Sequence, residues 1–105
     1  MELEWLRILI KKMRITSKQL EAIKHTIHNL DPQALIYLFG SRVDDNKKGG
    51  DIDLLVLSQQ LDFRKQRKIK IKLYELIGEQ KIDLIIAKET SKPFIQLALE
   101  KAILL

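Results

Sequence analysis

The sequence predicts an α+β domain in which helices pack on a sheet of at least three strands. Two observations carry that expectation. Three short apolar runs bounded by turn residues lie at Ala34 to Phe39, Ile52 to Leu57 and Ile82 to Ala87, each the length of a buried strand. The stretches around them repeat apolar residues at helical spacing. A chain of 105 residues has room for one core, and at 46% apolar and 31% charged it is too apolar for a disordered segment.

Taken in order, Leu3, Leu6, Ile10 and Met13, widened by Trp5 and Leu9, predict an amphipathic helix over 2–14. This makes residues 1–15 an N-terminal helical extension of a single domain that spans 1–105. Thr16 with Gln19 three residues on is a capping-box pattern, and Leu20, Ile23, Ile27 and Leu30 give the second helix its apolar face before Asp31-Pro32 ends it. The first strand follows, bounded by Pro32 and Gly40. The second is closed by Ser58-Gln59-Gln60, after which Asp62 caps a helix whose face is Ile69, Leu73, Leu76 and Ile77 and whose stop is Gly78. Lys68 to Leu73 also alternates with a strand period, but the longer pattern favours helix. Beyond the third strand, Ser91 as cap and Pro93 in the first turn predict a C-terminal helix with Phe94, Leu97, Ala98, Ala102 and Leu105 on the side that packs against the sheet.

Nineteen Lys and Arg against fourteen Asp and Glu give a net charge of +5, which favours phosphate-bearing or acidic partners. With no cysteine there is no disulfide framework, thiolate nucleophile or Cys-based zinc site, as suits a reducing cytoplasm. Glu2 and Glu4 ahead of an apolar stretch broken by Arg7 and Lys11 reverse the charge order of a signal peptide, so a cytoplasmic location without targeting signals is expected. Arg64, Lys65, Arg67, Lys68, Lys70 and Lys72 wrap more than one helical face and read first as a solvated surface. Phe63 and Tyr74 only bracket that run, which gives single-strand stacking little support. His25 and His28 lack the neighbours a zinc site needs.

The only Gly-rich polar segment is Ser41 to Gly50, and chemistry is expected there. Asp51 and Asp53 flank Ile52 at the head of an otherwise apolar strand. Alternation puts both on one face, about 6.5 Å apart, within reach of one hard cation. Asp83 is the lone acid inside the third strand, and three carboxylates converge if the second and third strands pair. Such a cluster repels itself unless a divalent ion neutralises it, and oxygen-only donors select magnesium or manganese. This is the outline of a two-metal phosphoryl-transfer site. Gly40-Ser41 supplies a place for a triphosphate to approach the backbone, and Arg42, Lys47 and Lys48 add positive charge to the same loop. Gly-Ser alone is a common turn, and Asp-x-Asp alone is a common strand end. Gly-Ser closing one strand, nine residues, Asp-Ile-Asp opening the next, and an Asp in a third strand thirty residues on form a specific combination.

Through Phe39-Gly40-Ser41, Asp51-Ile52-Asp53-Leu54 and Ile82-Asp83-Leu84 the chain resembles the minimal nucleotidyltransferases of the DNA polymerase beta superfamily, over roughly residues 17 to 105. The resemblance implies a two-layer, palm-like fold with a mixed sheet flanked by helices. It implies that Gly40, Ser41, Arg42 and Lys48 bind the nucleotide, ATP, and that Asp51, Asp53 and Asp83 are catalytic and hold two magnesium ions, Asp83 also helping to activate the acceptor hydroxyl. It further implies an all-helical HEPN-type toxin as partner, silenced when this chain, its antitoxin, transfers AMP to a tyrosine near the toxin's ribonuclease site. The match departs from the family where Val43, Asp44 and Asp45 replace small residues and where the gap before Asp51 is one residue shorter. So small a chain has little left for a second pocket, so another chain is expected to present the acceptor. The alternatives are a silent antitoxin that acts by binding alone and a small basic nucleic-acid-binding module.

Overall fold

The computed structural model describes residues 15–43 and 51–105. The helix expected over 2–14 and most of the loop before Asp51 lie outside the described residues. The elements run in the order α1 (Ser17–Leu30), β1 (Leu35–Phe39), a 3-10 turn (Gly40–Val43), β2 (Ile52–Leu57), α2 (Phe63–Ile77), β3 (Ile82–Ala87), α3 (Pro93–Leu99) and β4 (Ile103–Leu104). The strands form one mixed sheet in the order β3-β2-β1-β4. β1 is antiparallel to β2 and β4, and β2 is parallel to β3. A parallel pair needs a long crossover connection, which α2 provides. The α+β expectation holds, with one strand more than the minimum of three.

Local chemistry sets the helix ends. Thr16 accepts a hydrogen bond from the Gln19 N–H at 3.0 Å and its own N–H donates to Gln19 Oε1 at 2.9 Å, completing the capping box of α1. Asp62 accepts from the N–H groups of Arg64 and Lys65 and caps α2. Gly78, at φ 84°, ends it. α1 buries Ala22, Ile23, Thr26 and Ile27, whereas Leu30, expected on that face, is exposed at the last turn. The two helices pack against each other and over one side of the sheet, where Ile36, Leu38, Ile52, Leu54, Val56, Ile82 and Leu84 complete the core. On the other side, Leu55 and Ile95 are buried outside that core.

The C-terminal segment corrects the sequence expectation. α3 ends at Leu99, and residues 103–104 form an edge strand on β1, pairing Leu38 with Ile103 and Tyr37 with Leu104. The Leu105 N–H donates to Ile36 O at 2.8 Å. Ala102 to Leu105 is a wholly apolar run without a period of its own, and the open edge of β1 draws it into a strand, because its backbone groups need partners. Phe94 and Leu97, assigned to the packed side of this helix, are 58% and 65% exposed, and Ile95 takes the buried position. The Ser91 hydroxyl bonds Glu89 and caps nothing; Lys92 occupies the N-cap position without a side-chain bond.

At the end of the sheet where β1 begins and β2 and β3 finish, one buried polar junction ties three segments together. Asp31 Oδ2 accepts from Ser58 Oγ at 2.5 Å, and Asp31 Oδ1 accepts from the Gln33 N–H. Ser58 Oγ in turn accepts from the N–H groups of Gln60 and Leu61, while the Ser58 N–H donates to Ala87 O. Ser58→Ala strands a buried carboxylate oxygen and two N–H groups, so a loss of about 1–3 kcal/mol is expected in urea unfolding. Ser91→Ala, at an exposed pair, should stay within about 0.5 kcal/mol. Equal losses for the two variants would contradict the junction's role.

Candidate active site

The site lies at the opposite end of the sheet, where β1 finishes and β2 and β3 begin. Register places its residues. Asp53 is opposite Phe39 on the antiparallel side and opposite Asp83 on the parallel side. Two carboxylates are therefore set side by side on adjacent strands, on the face away from the α1–α2 core. Burial pushes the Asp53 carboxyl above the usual carboxylate range. The charge of Asp83 and a side-chain hydrogen bond with it push further, Asp51 adds to the rise, and Lys81 opposes it.

Gly40 follows Phe39 and opens the 3-10 turn at φ 74°. A Cβ at this position would collide with Asp53 Oδ2 and stand 3.1 Å from Asp53 Cγ. The glycine thus serves two needs, a left-handed backbone and room for a carboxylate. Val43, at the far end of the turn, packs against the core and anchors it.

Of the other residues expected here, Asp51 lies one step before β2, with its Oδ2 3.4 Å from Lys81 Nζ. Continuing the β2–β3 register by one residue sets Lys81 opposite Asp51, and the Ile52 N–H donates to Lys81 O at 3.0 Å. The structure therefore brings Asp53 and Asp83 together and turns Asp51 to a lysine. Among the described residues, no three His, Cys, Asp or Glu side chains are grouped to hold a metal ion. Ser41 and Arg42 lie on the 3-10 turn, with their side chains outside the described residues, as is all of Lys48. Lys81 was not singled out from sequence; its partner becomes legible only once the strands are paired. His28, which lies elsewhere, approaches Ala34 O at 3.0 Å. Among the described residues no helix is long and apolar enough to cross a membrane.

Comparison with known proteins bears on the fold that carries this site. The family model described as "Polymerase beta, Nucleotidyltransferase" matches residues 21–105. The chain is also similar to the probable protein adenylyltransferase MntA of Haemophilus influenzae, with 32% identity over 85 residues, covering 79% of this chain and 75% of that protein.

Two outcomes follow from the packing around Asp53. Gly40→Ala meets both a collision and a strained φ, so a loss of about 1–3 kcal/mol in urea unfolding is expected, against a near-neutral result if the turn tolerates a side chain. The second concerns pH in metal-free protein held in chelator. Folded Asp53 keeps its proton more tightly than the unfolded chain does, so its contribution to stability is fully present below the unfolded pKa and is lost as pH rises through the folded one. Asp53→Asn should therefore melt above wild type near about pH 7, with the gap closing towards about pH 4. A gap that widens on acidification would contradict the assignment.

Proposed function

This chain belongs to the polymerase beta nucleotidyltransferase family of enzymes, and on that premise we propose that it moves AMP from ATP to a tyrosine hydroxyl of a partner protein. The observation that carries the reading is the in-register pair Asp53 and Asp83, with Gly40 packed against Asp53 so that its carboxylate has a fixed place. The similarity to a protein named a probable protein adenylyltransferase supports AMP as the group moved and protein as its acceptor.

The donor chemistry fits a hard divalent cation. The donors are carboxylate oxygens, and Asp53 is held above its usual range by burial and two acidic neighbours, repulsion that a cation relieves. Asp51, Asp53 and Asp83 would hold magnesium, two ions in the full reading, which when bound neutralises phosphate charge and lowers the pKa of an oxygen nucleophile. Gly40, Ser41, Arg42 and Lys48 receive the triphosphate. Asp83, exposed beside Asp53, takes the proton of the acceptor hydroxyl. The hydroxyl oxygen forms its bond to the α-phosphorus, the bond to the bridging oxygen breaks, and pyrophosphate leaves. Asp83 is exposed and Asp53 partly so, which leaves a second protein access to them. The partner in this reading is an all-helical HEPN-type ribonuclease toxin in the cytoplasm, with this chain as its antitoxin.

Incubation of the chain with that partner, ATP and magnesium should add an AMP-sized mass to one partner tyrosine. Asp53→Asn should slow the transfer by about a hundredfold or more. A tight complex whose partner keeps its mass would instead support an antitoxin that acts by binding alone.

A further inference from the structure

Four charged side chains stand in a square where β2 and β3 begin. Asp51 faces Lys81 on one side, and Asp53 faces Asp83 on the other. Alternation keeps 51 with 53, and 81 with 83, on a common face. Lys81 is the one cation in this set. Its backbone is fixed, since its carbonyl accepts from the Ile52 N–H at 3.0 Å and from Gln80 Nε2 at 3.2 Å. Its side chain is 72% exposed, against 38% for Asp51, so the pair sits at the rim of the square rather than in the core.

A half-exposed lysine–carboxylate pair contributes little to folding. Here it does something more specific: it occupies the carboxylate that a cation at Asp53 and Asp83 needs as its third donor. We propose that Lys81 is a positioning residue that holds Asp51 while the site is metal-free and competes with the divalent cation for it, so that it sets the concentration at which the site loads. This rests on the reading of the three aspartates as the cation site. Two effects of Lys81 have the same sign. It must release Asp51 before that carboxylate can turn to a cation, and its own charge would repel a divalent ion held at Asp53 and Asp83. Replacing it with a neutral side chain of similar length therefore tightens metal binding.

The test is a titration of the full chain with manganese in the absence of nucleotide, read by the loss of the free-ion paramagnetic signal. Lys81→Met should bind about two- to fivefold more tightly than wild type, the scale of one exposed ion pair. Lys81→Arg, which keeps the charge, should stay close to wild type. The advantage of Lys81→Met should shrink at about 1 M salt, where the screening length falls to about 3 Å. A purely structural role would shift the melting temperature of metal-free Lys81→Met and leave its manganese affinity unchanged. If wild type binds manganese and Lys81→Met binds equally or more weakly, the inference is overturned. If the folded wild type and Lys81→Met both fail to bind manganese, the cation site itself is wrong and the inference goes with it, a result distinct from the first.

Discussion

The parallel pairing of β2 with β3 is the constraint from which the site follows. Ile52, Leu54 and Val56 on one strand, and Ile82 and Leu84 on the other, are buried beneath the two helices. A slip of either strand by one residue would turn its whole apolar set outward. The core therefore dictates the register, and the register sets Asp53 beside Asp83. Two acids on neighbouring strands repel, and the raised Asp53 carboxyl records that repulsion together with its burial. The fold holds the pair because the apolar contacts that fix the register far outweigh one unfavourable charge contact.

The two ends of the sheet are built differently. At one end, Asp31 and Ser58 satisfy each other and three backbone N–H groups in a buried junction, which closes the turns after α1 and β2. At the other end Asp53 and Asp83 are set side by side next to the Asp51–Lys81 pair, with Gly40 packed against Asp53 and Asp83 exposed. Buried polar groups with all partners present rigidify a fold, whereas acids set against one another are poised to take a cation or a proton. Separating the two lets the stable end carry the cost of the reactive one.

Much of this was legible in the sequence because it is local. β2 and β3 begin and end where their apolar runs do, and the caps at Thr16 and Asp62 need only residues within one turn. Asp51, Asp53 and Asp83 stood out as charges inside runs that bury their neighbours. What was missed depends on partners distant in sequence. Ala102 and Leu105 were read as part of the C-terminal helix, and only the unpaired edge of β1 selects the strand at residues 103–104. Leu30, Phe94 and Leu97 match a helical stripe yet face solvent, because periodicity does not say how far the covering layer extends. The contact of Lys81 with Asp51 needs the strand register before it can be seen. Gly40 was legible as the end of β1 and as a place where phosphate could approach the backbone, and its packing against Asp53 was not.

In the proposed reaction, nucleotide and divalent cation meet at the acids that head β2 and β3. Anomalous diffraction from a crystal of the chain grown with manganese and a non-hydrolysable ATP analogue tests it most directly. Manganese should lie in contact with the carboxylates of Asp53 and Asp83, with Asp51 turned from Lys81 towards the ion and the triphosphate at the Gly40–Val43 turn. Manganese and nucleotide bound elsewhere on the chain, with Asp51 still paired to Lys81 and Asp53 and Asp83 touching neither, would contradict this placement.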